Sequence, residues 1–155
     1  MDTQKPGVGF GIMVLRDGKV LLGHRNEDAE KASSLLHGEG TWTMPGGKLH
    51  FQENLKEGAE RELMEETGIK AKSLKVISIS NDIVHDAHFL TIGFLAEEFK
   101  GEVRVMEPDE ITEWKYVTVA ELERDLTDNA SHYSPWFKIE WERIRQHHLR
   151  EMALT

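Results

Sequence analysis

Acidic side chains are concentrated between Gly47 and Ile69, at spacings that a helix brings together. Glu62, Glu65 and Glu66 recur at i, i+3 and i+4, so on a helix they share one face. Like charges so placed repel one another, and the face therefore needs bulk water or a cation. Carboxylate oxygens favour magnesium, manganese or calcium over zinc. Because magnesium usually shares its shell with phosphates, the spacing points to a metal site for a phosphorylated substrate.

A helix with recognisable ends is predicted to carry this acidic face. Asn54 is an acceptable N-cap with Glu57 three residues on, and Thr67-Gly68 supplies a terminating glycine, so the helix should run from about Leu55 to Thr67. Arg61 stands beside the acidic face and is predicted to fix one carboxylate by a two-pronged hydrogen bond. The predicted buried stripe recurs at every fourth residue: Leu55, Ala59 and Leu63.

Two features upstream distinguish this helix from an ordinary acidic surface. Pro45-Gly46-Gly47 predicts a tight turn, and Glu53 adds a carboxylate just before the helix. The alternative is a solvated acidic face, because charge runs usually point to water. The turn and the additional carboxylate favour the metal and diphosphate site.

The stretch resembles the Nudix box, whose pattern is Gly, five residues, Glu, seven residues, Arg-Glu, an aliphatic, any residue, Glu-Glu, any residue, Gly, an aliphatic. The residues that fill its fixed positions here are Gly47, Glu53, Arg61, Glu62, Leu63, Glu65, Glu66, Gly68 and Ile69. A chance match is expected on the order of once in a million. Weaker resemblance to the MutT-type nucleoside triphosphate diphosphatases extends up to Val117. It is interrupted at Asn26 to Leu36, which resembles an insertion.

The resemblance implies an α+β fold, an α/β/α sandwich with a mixed β-sheet between helices. It also implies attack on an internal phosphorus of a nucleoside triphosphate, giving a nucleoside monophosphate and pyrophosphate, with Mg2+ or Mn2+ as cofactor. The implied metal ligands are Glu62 and Glu66, with Glu65 as ligand or base and Gly46 at the same site. The other implied catalytic residues are Arg61 as orienter, Glu53 as base or part of the metal shell, and the loop glutamate Glu110 with Glu107 in reserve. A solvated turn is an equal alternative for this loop.

Four residues are predicted to bind substrate: Arg25, Phe10, Trp136 and Gly47. Arg25 ends the second predicted strand, where its charged fork would grip a phosphate, although a surface salt bridge is an equal alternative. Trp136 stands at the start of the last helix, where its ring would stack on a nucleobase or simply pack at an edge.

Composition limits the class of protein. The chain has 155 residues, of which 39% are hydrophobic, and this suits a single domain spanning 1–155. Its net charge of −9 argues against a nucleic-acid polymer as the main partner, and a small nucleotide is expected instead. The absence of cysteine excludes disulfides and thiol catalysis. No apolar run is long enough to span a membrane, so a cytoplasmic location is expected, and a homodimer is compatible with the sequence.

The remaining pattern predicts further strands and two further helices. A hairpin is predicted at Val8–Leu15 and Lys19–Arg25, with its turn at Asp17-Gly18. The other predicted strands are Trp42–Met44, Ser73–Asn81, Phe89–Phe99, Val103–Met106 and Ile111–Val117. The predicted helices are Val119–Leu126 and a final helix opened by Ser134-Pro135, with Phe137, Trp141, Ile144 and His148 on one stripe.

Other functions use similar sequences. An ADP-ribose or nucleoside diphosphate-sugar hydrolase shares the box but tends to carry a proline about fifteen residues past it, and Asp82 to His85 contains none. Dinucleoside polyphosphate hydrolases tend to carry a tyrosine near the same place, which is also absent. A nucleotide sensor without activity usually lacks a box glutamate, and none is missing here. A purely structural acidic helix is the last alternative.

Overall fold

The computed structural model describes residues 4–32 and 38–146, in which one helix lies between two runs of strands and two helices follow the last strand. The strands are β1 (Gly7–Arg16), β2 (Lys19–Arg25), β3 (Trp42–Thr43), β4 (Gly46–Lys48), β5 (Lys70–Ala71), β6 (Lys75–Val84), β7 (Ala87–Ala96), β8 (Phe99–Lys100) and β9 (Ile111–Thr118). The helices are α1 (Leu55–Thr67), α2 (Val119–Asp128) and α3 (Pro135–Ile144). No helix of this described part is both long and apolar enough to cross a bilayer.

The main sheet is mixed, as predicted. Its strand order is β3-β2-β1-β7-β6, with β4 paired to β1 and β9 paired to β2. β1 and β7 run parallel over eight residue pairs, from Gly7 with Phe89 to Val14 with Ala96, and the other pairings are antiparallel. β5 and β8 form a separate two-stranded sheet. The α+β fold with a mixed sheet is thus confirmed.

Helices cover both faces of the sheet. Successive side chains of β1 point to opposite faces, so each face has its own apolar core that a helix must cover. On one face Phe10 and Ile12 pack with Leu63 of α1. On the other face Met13 and Leu15 join a core to which the other two helices contribute. The members of that core from α2 and α3 are Leu122, Phe137, Trp141 and Ile144. The predicted sandwich of a sheet between helices is therefore present.

The ends of α1 lie where the sequence predicts them. The Asn54 side chain accepts a hydrogen bond from the Lys56 amide, and Gly68 ends the helix in the left-handed region with a φ of 77°. The predicted buried stripe is partly wrong, because Leu55 is 39% exposed while Ala59 and Leu63 are fully buried. Leu55 is the first residue of the helix, one turn before the buried section begins at Gly58.

One predicted strand is absent. Residues 103–106 are irregular, and the chain pairs earlier, where Phe99–Lys100 meets Lys70–Ala71. The physical reason is a competing hydrogen bond, since the Arg104 amide donates to the Thr67 carbonyl at the end of α1. The strand that precedes the final helices is confirmed at Ile111–Thr118.

The predicted hairpin and the final helix are also confirmed. Asp17 and Gly18 have φ angles of 52° and 75°, as a primed two-residue turn requires. Ser134 caps α3 by accepting a hydrogen bond from the Phe137 amide. The predicted position of His148 on the α3 stripe lies outside the described residues, as does part of the segment from Asn26 to Leu36.

Candidate active site

Arg61 is the centre of a hydrogen-bond network beside α1. Its Nε and one terminal nitrogen donate to both Glu53 carboxylate oxygens, at 2.6 and 3.0 Å. The other terminal nitrogen donates to Glu62 at 2.8 Å and to Glu65 at 3.3 Å. A further bond runs to the Lys48 carbonyl at 3.0 Å. The planar guanidinium thus holds three acidic side chains and the end of β4 in one arrangement.

The glycine turn before α1 brings backbone close to two glutamates. A Cβ on Gly47 would overlap the carboxylate of Glu62, so that carboxylate lies directly against the glycine. The Gly46 amide donates a hydrogen bond to Glu66, and a Cβ on Gly46 would collide with the Phe10 carbonyl oxygen. Glycine is therefore required at Gly46, where the collision is with backbone, and a side chain at Gly47 would displace the Glu62 carboxylate.

The carboxylates experience opposing electrostatic effects. Hydrogen bonding to Arg61 lowers the pKa of Glu53 to about 2, with a contribution from the His50 amide. Burial raises the pKa of Glu62 despite the same arginine. Burial, followed by the charges of Glu62 and Glu107, raises the pKa of Glu66 well above its usual range. Negative charge is therefore only partly compensated around Glu62 and Glu66.

The loop that precedes β9 adds to this negative charge. The amides of Glu110 and Ile111 both donate to the Glu107 carbonyl at 2.9 Å, and the Asn26 amide donates to the Glu110 carbonyl. Both loop glutamates contribute to the raised pKa of Glu66, with Glu107 the stronger of the two. The structure thus brings the predicted loop acids toward the acids of α1.

Metal binding at this cluster stays a prediction. Within residues 4–32 and 38–146, no three acidic or histidine side chains direct their ligating atoms at a common point. Glu62 is engaged by Arg61 and Glu66 by the Gly46 amide, while the Glu65 side chain is 51% exposed. The donor set nevertheless suits a hard divalent cation, because it consists of carboxylates whose mutual repulsion such a cation would relieve.

Two predicted substrate residues occupy other positions. The Phe10 ring is 6% exposed and packs edge-on against Phe94 with centroids 5.9 Å apart, so it belongs to the core under α1. Arg25 ends β2 as predicted, but one terminal nitrogen donates to the Ala32 carbonyl at 2.5 Å. This bond ties the arginine to the following loop and is neither a phosphate contact nor the alternative salt bridge.

Trp136 lies in an aromatic and cationic group on the opposite face of the sheet from α1. Its ring meets Phe89 edge-on at 5.4 Å, and the Lys48 ammonium lies 5.4 Å from the same Phe89 ring. The indole nitrogen of Trp136 is buried without a hydrogen-bond partner in the described part of the chain. Since Lys48 directly follows Gly47, this group adjoins the glycine turn.

A match to the family profile described as the NUDIX domain covers residues 5–137. The chain belongs to the Nudix family. The crystal structure of a MutT NUDIX hydrolase from Burkholderia pseudomallei is 30% identical, with a TM-score of 0.66 over 76% of this chain and 86% of that one. The MutT protein from Methanosarcina mazei Go1 is 27% identical, with a TM-score of 0.71 over 94% and 97% of the two chains.

Curated Nudix relatives carry different activities in their names. An RNA pyrophosphohydrolase of Zymomonas mobilis is 36% identical over 98 residues, which are 63% of this chain and 54% of the relative. An oxidized purine nucleoside triphosphate hydrolase of Danio rerio is 29% identical over 59% and 54% of the two chains. An ADP-ribose pyrophosphatase of Methanocaldococcus jannaschii is 31% identical over 64% and 55%. The chain spans about half the length of these relatives.

Sequence reasoning missed one acidic residue of this Nudix chain. Glu140 of α3 is 7% exposed, and its Oε1 has no hydrogen-bond partner in the described residues. A Cβ on Gly11 would overlap its carboxylate, and a Cβ on Gly93 would lie 3.1 Å from Oε1. Burial and the charge of Asp82 raise the pKa of Glu140 to about 8. The alternating glycines of β1 were the available signal, because they indicate close packing on one face.

Proposed function

We propose that this Nudix protein is a magnesium-dependent pyrophosphohydrolase that converts a nucleoside triphosphate to a nucleoside monophosphate and pyrophosphate. The observation that carries the proposal is the group of acids around the Gly46-Gly47 turn. Glu62 lies against Gly47, Glu66 accepts from Gly46, and Glu107 approaches from the loop. Partly compensated carboxylates of this kind suit divalent cations that bind phosphates.

The proposed roles follow from the positions of the side chains. Glu62 and Glu66 would hold the metal, with Glu65 as a further ligand or the base. A bound magnesium ion supplies positive charge that neutralises phosphate oxygens and acidifies a water molecule. Arg61 keeps Glu53 ionised by two hydrogen bonds, which makes Glu53 a weak base and favours its other proposed role, completing the metal shell, over taking the proton of the attacking water. That water forms the new bond to an internal phosphorus as the anhydride bond breaks.

The nucleoside end of the substrate is assigned to the aromatic group beside the glycine turn. Phe89 and Trp136 offer flat surfaces for a base, and Lys48 offers a positive charge for a phosphate between base and metal. The triphosphate assignment is supported by the name of the Danio rerio relative. It is also supported by the absence of the proline and tyrosine that mark the other substrate classes.

ADP-ribose hydrolysis is the second candidate. The relative from Methanocaldococcus jannaschii, named an ADP-ribose pyrophosphatase, favours it at 31% identity. The name of the Zymomonas mobilis relative, RNA pyrophosphohydrolase, points to RNA as a further substrate class. The net charge of −9 disfavours a long nucleic-acid backbone.

A substrate panel tests the proposal. The full chain is assayed with magnesium or manganese on the common and oxidised nucleoside triphosphates, ADP-ribose, dinucleoside polyphosphates and an RNA carrying a 5′ triphosphate. Pyrophosphate and orthophosphate are measured separately. We expect the highest kcat/KM on a nucleoside triphosphate, with one pyrophosphate released per nucleoside monophosphate.

The variant Glu66→Gln tests the metal assignment, because glutamine keeps the shape of the side chain and removes its charge. Its circular dichroism spectrum should equal that of the parent chain while turnover falls. Equal turnover by a folded Glu66→Gln chain would contradict the metal assignment. A preference for ADP-ribose, with AMP and ribose 5-phosphate as products, would replace the triphosphate assignment with the second candidate.

A further inference from the structure

β6 forms one end of the main sheet, and among the described residues its only strand partner is β7. The outer edge of such a strand is a template for another strand, and proteins commonly protect it with proline, bulges or repeated lysines. β6 contains no proline, and its only lysine is Lys75, its first residue. Its one irregularity lies between Val76 and Ser78. Among the described residues the edge is therefore regular from Ser78 to Val84, and its one protective feature is the inward-facing Asp82.

An apolar patch lies on one face of this edge. The residues of the patch are Val76, Ile79, Ile83 and Leu90. Ile83 is 67% exposed and Ile79 is 62% exposed, and among large apolar side chains of the described residues only Phe51 is more exposed. Because Ile79 pairs with Ile92 of the core under α1, the patch lies on the α1 face of the sheet. Exposed apolar side chains grouped in this way mark an interaction surface.

We propose that the edge of β6 and the apolar patch bind a second copy of this chain, with the two β6 strands antiparallel and a two-fold axis at Asn81. Ile79 of each copy then lies opposite Ile83 of the other, on the exposed face. On the opposite face Asp82 lies across from Ser80 of the second copy. The two Asp82 carboxylates therefore do not face each other.

Charges at the two ends of β6 are complementary in this arrangement. Lys75 begins the strand, and Asp86 lies in the turn that follows it. Antiparallel pairing brings Lys75 of each copy close to Asp86 of the other, twice because of the symmetry. The apolar patch carries no charge, which limits repulsion between two chains of net charge −9.

A cleft beside the start of β6 gives the second copy a place to pack. It has a volume of about 390 Å³, and its lining residues are Val76, Ile77, Ser78, Ile79 and Arg143. In the proposed register, the residues opposite Ser78 and Ile79 are Val84 and Ile83 of the second copy. The cleft lies on the α3 side of the strand, as Arg143 shows, so it would receive the Val84 side chain of the second copy, which lies opposite Ser78.

Sedimentation velocity over a range of concentrations tests the association. The full chain of 17.8 kDa should sediment with about twice that mass. Ile83→Lys places a charge in the patch and should weaken association at least about tenfold, while Met106→Lys, at an exposed apolar residue elsewhere, should leave it unchanged. Lys75→Glu should also weaken it, and adding Asp86→Lys should restore it. Turnover on the best substrate checks that each variant is folded.

The register has a separate covalent test. The chain has no cysteine, so Asn81→Cys introduces a single thiol at the proposed axis. Residues directly opposite in an antiparallel pair have Cα atoms about 4.5–5.5 Å apart, within the range that a disulfide spans. Mild oxidation should give a covalent dimer with Asn81→Cys and little with the control Val105→Cys.

Three results would overturn the proposal. The first is a full chain that is monomeric at every concentration. The second is a dimer that survives both Ile83→Lys and Lys75→Glu. The third is a monomer that dimerises only after deletion of residues 147–155, since this would mean that the chain's own end covers the edge.

Discussion

Glu53 and Glu62 on the α1 face of the sheet have a cation next to them, whereas the buried Glu140 on the opposite face has no ion-pair partner among the described residues. Glu53 and Glu62 share Arg61, and hydrogen bonding to that arginine lowers the pKa of Glu53 to about 2. Glu140 on the opposite face packs against glycine backbone near Asp82, and its pKa rises to about 8. The same type of side chain is therefore a charged group at Glu53 and a neutral acid at Glu140.

Removing one acid from each face tests whether the two faces differ in catalysis, and we expect this test to give the largest effect. Glu62→Gln should lower magnesium-dependent kcat by at least about 100-fold, because it removes a proposed metal ligand. Glu140→Gln should leave kcat within about twofold, since Glu140 has no role in the proposed chemistry. Steady-state kinetics on the same substrate measures both. Equal losses in the two variants would mean that the two faces do not differ in function.

Arg61→Lys tests whether the charge of Arg61 alone is sufficient or whether its forked hydrogen bonding is needed. Lysine keeps the positive charge but cannot bond both Glu53 oxygens and Glu62 together. We expect kcat to fall roughly 10- to 100-fold, as for other residues that orient metal ligands. The magnesium concentration at half-maximal rate should rise as well. An unchanged magnesium dependence would show that charge alone, without the fork geometry, is sufficient.

Gly11→Ala tests the packing around the neutral acid. The new Cβ would overlap the Glu140 carboxylate, so the free energy of unfolding should fall by about 1–3 kcal/mol. The double variant Gly11→Ala with Glu140→Ala should recover part of that loss, because the side chain in collision is gone. Urea denaturation of the single and double variants measures the coupling. Additive losses would show that the two residues do not interact.

Taken per pH unit, the pH dependence of stability gives the smallest effect. Glu140 has a pKa of about 8 in the folded chain, against 4.5 when unperturbed, so between these values the unfolded chain releases a proton that the folded chain retains. The free energy of unfolding should therefore fall as pH rises from about 4.5 to about 8, by up to about 1.4 kcal/mol per pH unit from this group. Glu140→Gln should flatten that slope, as measured by urea denaturation at several pH values. An unchanged slope would show that Glu140 is already ionised.

The difference between the two faces also explains what the sequence could predict. The α1 site is largely local, since the cap at Asn54, the arginine at Arg61 and the turn glycines lie within about twenty residues of one another. Its spacing therefore predicts the helix and its acidic face. Glu140 belongs to no local pattern, because its partners Gly11 and Gly93 come from distant strands.

Individual side-chain positions were the least predictable. Phe10 was expected to contact substrate, but the alternation of β1 directs it into the core with Phe94. Leu55 matches the apolar spacing of α1, yet it lies beyond the buried section. The sequence pattern of residues 103–106 suits a strand, but the Arg104 amide donates a hydrogen bond to the end of α1 and the segment does not pair with a strand. These outcomes depend on tertiary contacts, which residue spacing does not encode.

The parallel pairing of β1 with β7 also constrains how the chain assembles. β1 can close its short hairpin with β2 as soon as both are made, but its eight-residue parallel partner ends at Ala96. The paired residues of β1 and β7 are 82 positions apart in the sequence, as from Gly7 to Phe89, and closing so long a loop is slow. The helix α1 lies inside that loop. The Gly46-Gly47 turn pairs with β1, so we expect it to become stable only after β7 has paired with β1.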